Sequence, residues 1–333
     1  MSEAVSTKTG SGARLGIYRM MLEARRFEDR AHQLFMEGLV RGTSHLATGQ
    51  EAVAAGYAAA MQPDDLTFCT YRGHHHTLLR GTPAGKLMAE LLGRADGVCG
   101  GKGGSMHLTW VPAGAMGSYA IVGAHLPIAV GAAWAAQERG SGQVAVCFFG
   151  DGTTNIGAFH EALNLAVVWN LPVVFVCENN LYMEYTPIGS VTAVERPAAD
   201  RAAAYGLEDI QVDGNDPDVM YEVALTTLAK ARDGGGPSLV EAVTYRHAGH
   251  SKADPATYRP PEEVEQWLKR DPIPMYRRRL SESGTTEEEL LQVEQKVESS
   301  IEAAVEEAKA SPDPSVASTW TEVWADGGFR WRN

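Results

Sequence analysis

Along the chain, apolar residues at helical spacing alternate with short unbroken apolar runs, which predicts alternating helices and strands. From Arg14 to Glu37 the positions Ile17, Met20, Met21, Ala24, Phe27, Ala31, Leu34 and Phe35 keep helical spacing with charges between them, and Gly38 ends the helix. A small-residue helix is expected from about Gln50 to Met61, and a short strand from Leu66 to Thr70. The segment LPIAVGAAWAAQER reads as a helix with an Ala/Gly face, suited to close packing deep in the molecule or at a subunit interface.

Residues 144–182 form the central unit. Val144 to Phe149 is a buried-strand run closed by Gly150-Asp151-Gly152; Ile156, Phe159, Ala162, Leu163, Ala166 and Val167 repeat at helical spacing, with Asn155 as the expected N-cap. Val173 to Cys177 is the next strand. A right-handed crossover returns the chain to the same sheet edge, so Asp151 and Asn180 are expected side by side at strand carboxyl ends, where open α/β sheets bind ligands. Further on come a short helix around Arg201 to Tyr205, a strand Ile210–Val212, a helix Asp218–Ala231 and a strand Ser238–Tyr245. A capping box at Thr286–Glu289 opens a helix with an apolar stripe through Val293, Val297, Ile301, Ala304, Val305 and Ala308.

The pattern predicts an α/β, doubly wound, mostly parallel sheet with helical N- and C-terminal extensions. Residues 1–13 are expected to be a disordered tail, 14–259 the α/β domain, and 260–333 a helical extension whose Trp320, Trp324, Phe329 and Trp331 dock onto something rather than face water.

Four strand ends carry the candidate chemistry. Asp151, Asn180 and the carbonyl of Tyr182 would form an all-oxygen half-shell suited to Mg²⁺, whose other positions water and phosphate oxygens fill. Tyr71-Arg72-Gly73-His74-His75-His76 follows the first strand; phosphate contact by Arg72 is favoured over metal binding, because adjacent histidines point in different directions, and partly exposed histidines at a helix start remain the alternative. Arg246-His247-Ala248-Gly249-His250-Ser251 puts a second basic cluster on that edge. The glycine-rich stretch 97–107, GVCGGKGGSMH, must be an irregular loop, either a close approach to a ligand or neighbour or a flexible surface loop. Neither nucleotide fingerprint is spelled: Asn155 stands where a dinucleotide motif needs its third glycine, and Gly101-Lys102 lacks the P-loop context.

Composition adds limits. With 333 residues and 44% hydrophobic content the chain can bury a substantial core, and a net charge of −13 argues against nucleic-acid or anionic-membrane partners. Cys69, Cys99, Cys147 and Cys177 lack metal-type spacing, and no apolar run reads as a signal or membrane span, so a reducing, cytoplasmic location is expected.

The Gly150-Asp151-Gly152 and Asn179-Asn180 pair matches the thiamine diphosphate (ThDP) fingerprint. Together with the Tyr71-Arg72 cluster, GGKGGSMH and YRHAGHS in this order, it makes the chain resemble the α subunit of the decarboxylating component of 2-oxo acid dehydrogenase complexes, a group that includes the pyruvate, branched-chain and acetoin dehydrogenases. The resemblance implies the cofactors ThDP and Mg²⁺, the metal held by Asp151, Asn180 and Tyr182. Gly152 and Thr153 would offer amides to the diphosphate, and Tyr71, Arg72 and His250 would contact it, His250 being the candidate catalytic residue. His45 would line the cofactor, Ala120 and Val122 would meet its rings, and Ser251 matches a serine phosphorylated in some relatives. Ala120 and Met183 depart from the Gly or Ser and the Gly frequent in relatives. The implied reaction cleaves the bond beside a substrate carbonyl and passes the acyl group to a lipoyl-bearing acyltransferase. The implied partner is a β subunit in an α₂β₂ heterotetramer, which would supply the glutamate that activates the pyrimidine; no strand-end glutamate for that ring can be placed in this sequence. A transketolase-like ketol transferase and a non-catalytic subunit of the same fold are the competing readings.

Overall fold

The computed structural model describes residues 11–40 and 42–321. In chain order its helices and strands are α1 (Ser11–Met36), α2 (Glu51–Ala60), β1 (Leu66–Thr70), α3 (His74–Leu79), α4 (Ala84–Leu91), β2 (Ala115–Tyr119), α5 (His125–Arg139), β3 (Ala145–Gly150), α6 (Gly157–Val168), β4 (Val173–Asn179), β5 (Tyr182–Met183), β6 (Thr186–Pro187), α7 (Ala199–Ala202), β7 (Ile210–Asp213), α8 (Pro217–Arg232), β8 (Ser238–Val243), α9 (Pro261–Leu268), α10 (Pro272–Glu282) and α11 (Glu287–Ala310).

The six-stranded sheet has the order β2-β1-β3-β4-β8-β7 and every pairing in it is parallel. Because the chain runs outward from β1 to β2 and then returns past β1 to β3, the direction of winding reverses beside β1 and β3, and a crevice opens at their carboxyl ends. One sheet face packs on α5 and α6 through Phe149, Phe159, Leu163 and Phe175; the other packs on α2 and α8 through Tyr57, Phe148, Val176 and Met220. Strands covered on both faces need no polar alternation, which is why β3 and β4 are continuous apolar runs.

The helical extensions share a third apolar cluster. Ile17, Met21, Phe27 and Leu34 of α1 pack with Leu87 and Leu91 of α4 and with Val297, Ile301 and Val305 of α11. The capping box is present, with Thr286 Oγ1 accepting from the Glu289 amide and the Glu289 carboxylate accepting from the Thr286 amide.

Several expectations change. α1 begins at Ser11, inside the stretch read as a tail, and residues 1–10 lie outside the described residues, as do Trp324, Phe329 and Trp331. Trp320 is 84% exposed in the single chain, which leaves the expected docking of the aromatic tail untested. Asn155 is not the N-cap of α6: Ile156 holds that position, and the Asn155 side-chain Nδ2 instead donates to Thr192 Oγ1 at 2.9 Å. β2 was not foreseen, because AMGSY lacks the β-branched residues that mark a strand. The Ala face of α5 packs inside the chain, Ala129, Ala133 and Ala136 being buried against the sheet side of the fold.

Candidate functional site

Each segment that leaves the crevice edge of the sheet delivers one part of the site. β1 hands over to Tyr71 and Arg72, β3 to Asp151, Gly152 and Thr153, β4 to Asn180 and Tyr182, and β8 to Arg246 and His250. These residues line one cavity of about 370 Å³, with Val122, Ile156 and Met183 on its apolar side. Ala120 is outside that lining, and His45 reaches the site indirectly, its ring 4.6 Å from Tyr71 and 4.9 Å from His250.

Asp151 is the anionic centre. It is 2% exposed, its Oδ1 accepts from the Gly152 amide at 2.7 Å, and its Oδ2 is buried with no hydrogen-bond partner. Burial pushes its carboxyl up to about 7, against the pull of the Gly152 amide and of Arg246. A carboxylate placed so in a polar cleft is matched by a hard cation, which would supply the missing charge.

The turn after β4 supplies neutral oxygens beside it. Asn180 Nδ2 donates to Gln50 Oε1 at 3.4 Å, which fixes the carboxamide, and Asn180 Oδ1 accepts from the Tyr182 amide at 3.3 Å. Leu181 between them has φ 72°, a left-handed conformation that costs a leucine about 1–2 kcal/mol. Such strain concentrates where the backbone must present particular groups. Tyr182 pairs with Pro187 across the β5–β6 hairpin, and proline has no N–H to donate to the Tyr182 carbonyl. The Tyr182 hydroxyl donates to Glu263 of α9 at 2.9 Å, as does Tyr245 at 2.8 Å, so the C-terminal helices brace this wall.

The cationic side is built from buried groups. Arg72 donates to the carbonyls of Leu46 and His250, and Arg246 to the Glu184 carbonyl and the Tyr258 hydroxyl. Burial and the neighbouring Arg246 bring Arg72 down to about 10. His250 is lowered to about 4 by burial and then by Arg72 and Arg246, and His45 to about 3 by burial and then by Arg72. The Nδ1 atoms of both histidines are buried without partners. Two guanidinium groups and the neutral His250 imidazole sharing a cavity with one carboxylate, with His45 packed behind His250, make a site for a polyanion that brings its own cation. Asp151, at about 7, is the group in this cavity that changes charge between about pH 6 and about pH 8, and its carboxylate opposes an anion arriving without a metal, so inorganic diphosphate should bind Asp151→Asn more tightly than the wild type at about pH 8 and about equally at about pH 6. Calorimetry on the wild type and on Asp151→Asn at both pH values checks this.

His74, His75 and His76 are buried, not partly exposed, at 0%, 1% and 4%. His74 bridges the buried Glu28 at 2.9 Å and Ser105 at 2.7 Å, and His76 meets Glu178 at 3.2 Å. His74 and His76 serve as hydrogen-bond struts, whereas neither ring nitrogen of His75 has a hydrogen-bond partner and its Nε2 lies 3.5 Å from Glu28; among the described residues no group of three or more His, Cys, Asp or Glu side chains is arranged to hold a metal. The glycine-rich loop is also ordered from within: the carboxylate of Glu90, itself buried, accepts from the amides of Cys99, Gly101, Gly103 and Gly104.

Sequence reasoning put Arg246 in the basic cluster on this edge without giving it a role, and missed Gln50 and Glu178 as lining residues. Glu178 stands near the end of β4, but it sits beside Gly150 and Asn180 and is tied to His76. The available signal was a lone acid closing the apolar run VVFVCE.

The family model "Dehydrogenase E1 component" matches residues 18–317. The α subunit of acetoin:2,6-dichlorophenolindophenol oxidoreductase from Bacillus subtilis is 44% identical over 311 residues, covering 93% of this chain and 93% of that protein. Its counterpart from Cupriavidus necator is 41% identical over 312 residues, with the same coverages. The pyruvate dehydrogenase E1 component subunit alpha of Porphyra purpurea is 39% identical over 323 residues, covering 94% and 93%. With a parallel sheet, strand-end oxygens and a cationic wall in one cavity, and matches along nearly its whole length, this chain belongs to the dehydrogenase E1 component family as an α subunit of the thiamine-dependent 2-oxo acid and acetoin dehydrogenases.

Proposed function

We propose that the cavity binds ThDP with Mg²⁺, and that the chain works with a β subunit on acetoin or a 2-oxo acid, passing the acyl group to a lipoyl-bearing acyltransferase. The partnerless buried oxygen of Asp151 carries this reading. Asp151, Asn180 and the Tyr182 carbonyl would hold the metal, and the amides of Gly152 and Thr153 would face the diphosphate. Arg72, Arg246, Tyr71 and His250 would neutralise and orient the diphosphate. Gly152 suits a close approach because its missing Cβ leaves only the flexible Met183 side chain opposite. When bound, the cofactor supplies the electron sink for cleavage beside the carbonyl. Acetoin is the preferred substrate, on the strength of the two acetoin-oxidising relatives at 44% and 41% identity.

Titrating ThDP into the protein with Mg²⁺ and with a chelator tests the reading. Saturable binding only with the metal supports it, and metal-independent or absent binding contradicts it.

Ser251 adjoins His250, whose amide donates to Asp254 at 2.6 Å, and the Ser251 carbonyl accepts from the Asp254 amide at 3.1 Å. Ser251→Glu places a second carboxylate beside Asp254 and next to an anion site, so turnover should fall by about tenfold or more with the melting temperature little changed. Wild-type turnover in this variant would remove the loop from the mechanism.

A further inference from the structure

We infer that Glu241, which does not line the cavity, is a positioning residue that holds the Asn179–Tyr182 turn in the shape its oxygen donors require; this rests on the cofactor reading above. Glu241 lies in the middle of β8, in the run SLVEAV, and is 0% exposed. It pairs in register with Cys177 of β4, the strand that runs into the crevice turn, and with Gln211 of β7 on its other side. A carboxylate in such a strand is costly unless its oxygens are satisfied.

All four of its hydrogen bonds come from neutral donors. Oε1 accepts from Asn179 Nδ2 at 2.8 Å and Gln211 Nε2 at 3.0 Å, and Oε2 from the amides of Ala198 and Ala199 at 2.8 Å each. No guanidinium or ammonium group pairs with it among the described residues, so its charge is spent on holding amides in place.

The link to Asn179 sets the turn. With Nδ2 held by Glu241, Asn179 Oδ1 is directed to the Leu181 amide, which it accepts at 3.1 Å. That bond fastens the residue with φ 72°, and a leucine stays in this conformation only where its surroundings hold it. Leu181 in turn fixes the relation between Asn180 and Tyr182, the two oxygen donors on either side of it. The chain of contacts runs from a buried strand to the site through one carboxamide. Glutamine at 241 would turn an acceptor oxygen into an N–H₂ facing other N–H groups, breaking the chain while keeping the shape.

The test uses the full-length protein, co-purified with its partner subunit, and Mg²⁺ titrated at saturating ThDP. Glu241→Gln should weaken Mg²⁺ binding by about tenfold or more, the usual effect of removing a group that orients a ligand. In the unliganded protein the Leu181 and Tyr182 amides should exchange faster while Val174 to Cys177 stay protected. Adding Asn179→Asp to Glu241→Gln exchanges donor for acceptor within the pair, and should recover most of the lost affinity. Should Glu241→Gln not fold, Asn179→Ala, which cuts the same link at the turn, carries the decision and should lose about as much. Unchanged Mg²⁺ affinity and exchange in Glu241→Gln, or in Asn179→Ala where that decides, overturns the inference, as does a double variant no better than the single. A wild type that does not bind Mg²⁺ and ThDP at all would instead overturn the cofactor reading.

Discussion

Asp151→Ala is expected to abolish Mg²⁺-dependent ThDP binding, with affinity falling by at least about 100-fold, since a direct anionic ligand matters no less than the groups that orient one. Unliganded stability should not suffer. The carboxyl is buried, lacks a partner at Oδ2 and is pushed up to about 7 by desolvation, so it is an unfavourable group in the empty fold. Its removal should leave the melting temperature of the cofactor-free protein unchanged or slightly raised. Calorimetry and thermal melts on one preparation read both effects. Undiminished ThDP binding would move the metal elsewhere, and a collapsed fold would make Asp151 a structural residue.

The second large effect is expected from the missing half of the site. The purified chain alone should show less than about 1% of the activity it gains with its β subunit, because a positioned acid–base group is worth about 100-fold or more. Glu178 does not fill that place: it is bonded to His76 at the Asp151 end, whereas the apolar end of the cavity carries no carboxyl from β2 or the segment after it. That end is also open. Val122 lines the cavity yet is 47% exposed, and Ile121 beside it is 73% exposed. Covering such residues is what a large obligate interface does. Activity and sedimentation measured with and without the β subunit check the expectation, and full turnover by an unpartnered chain would contradict it.

Much of this was legible in the sequence because the strands are buried on both faces. Continuous runs such as VAVCFF and VVFVC announce parallel strands, and the polar residue that closes each run falls at the crevice by topology alone. Asp151, Asn180, Arg72 and His250 could therefore be placed together before any coordinates. β2 escaped because its strand character comes from pairing with β1 rather than from its own AMGSY residues. The supporting carboxylates escaped for a different reason. Glu28, Glu90 and Glu241 are each fully buried; Glu28 and Glu241 satisfy partners in distant segments and Glu90 the loop that follows its helix, none of which a local pattern encodes. A single acid among apolar neighbours was the only trace of Glu90 and Glu241, and Glu28, in the charged run Arg25 to Arg30, left none. Asn155 shows the reverse error: a good N-cap residue at a plausible place was drawn instead to Thr192 and Arg201, because the chain enters α6 through a tight turn at Asp151–Asn155.

The most direct measurement of the central claim is dye-coupled oxidation by the chain co-expressed with its β subunit, with acetoin and pyruvate compared in parallel. Oxidation that requires both ThDP and Mg²⁺, fastest with acetoin, is the predicted result. Oxidation indifferent to ThDP, or none with acetoin or any 2-oxo acid in a complex shown to be assembled, would contradict it.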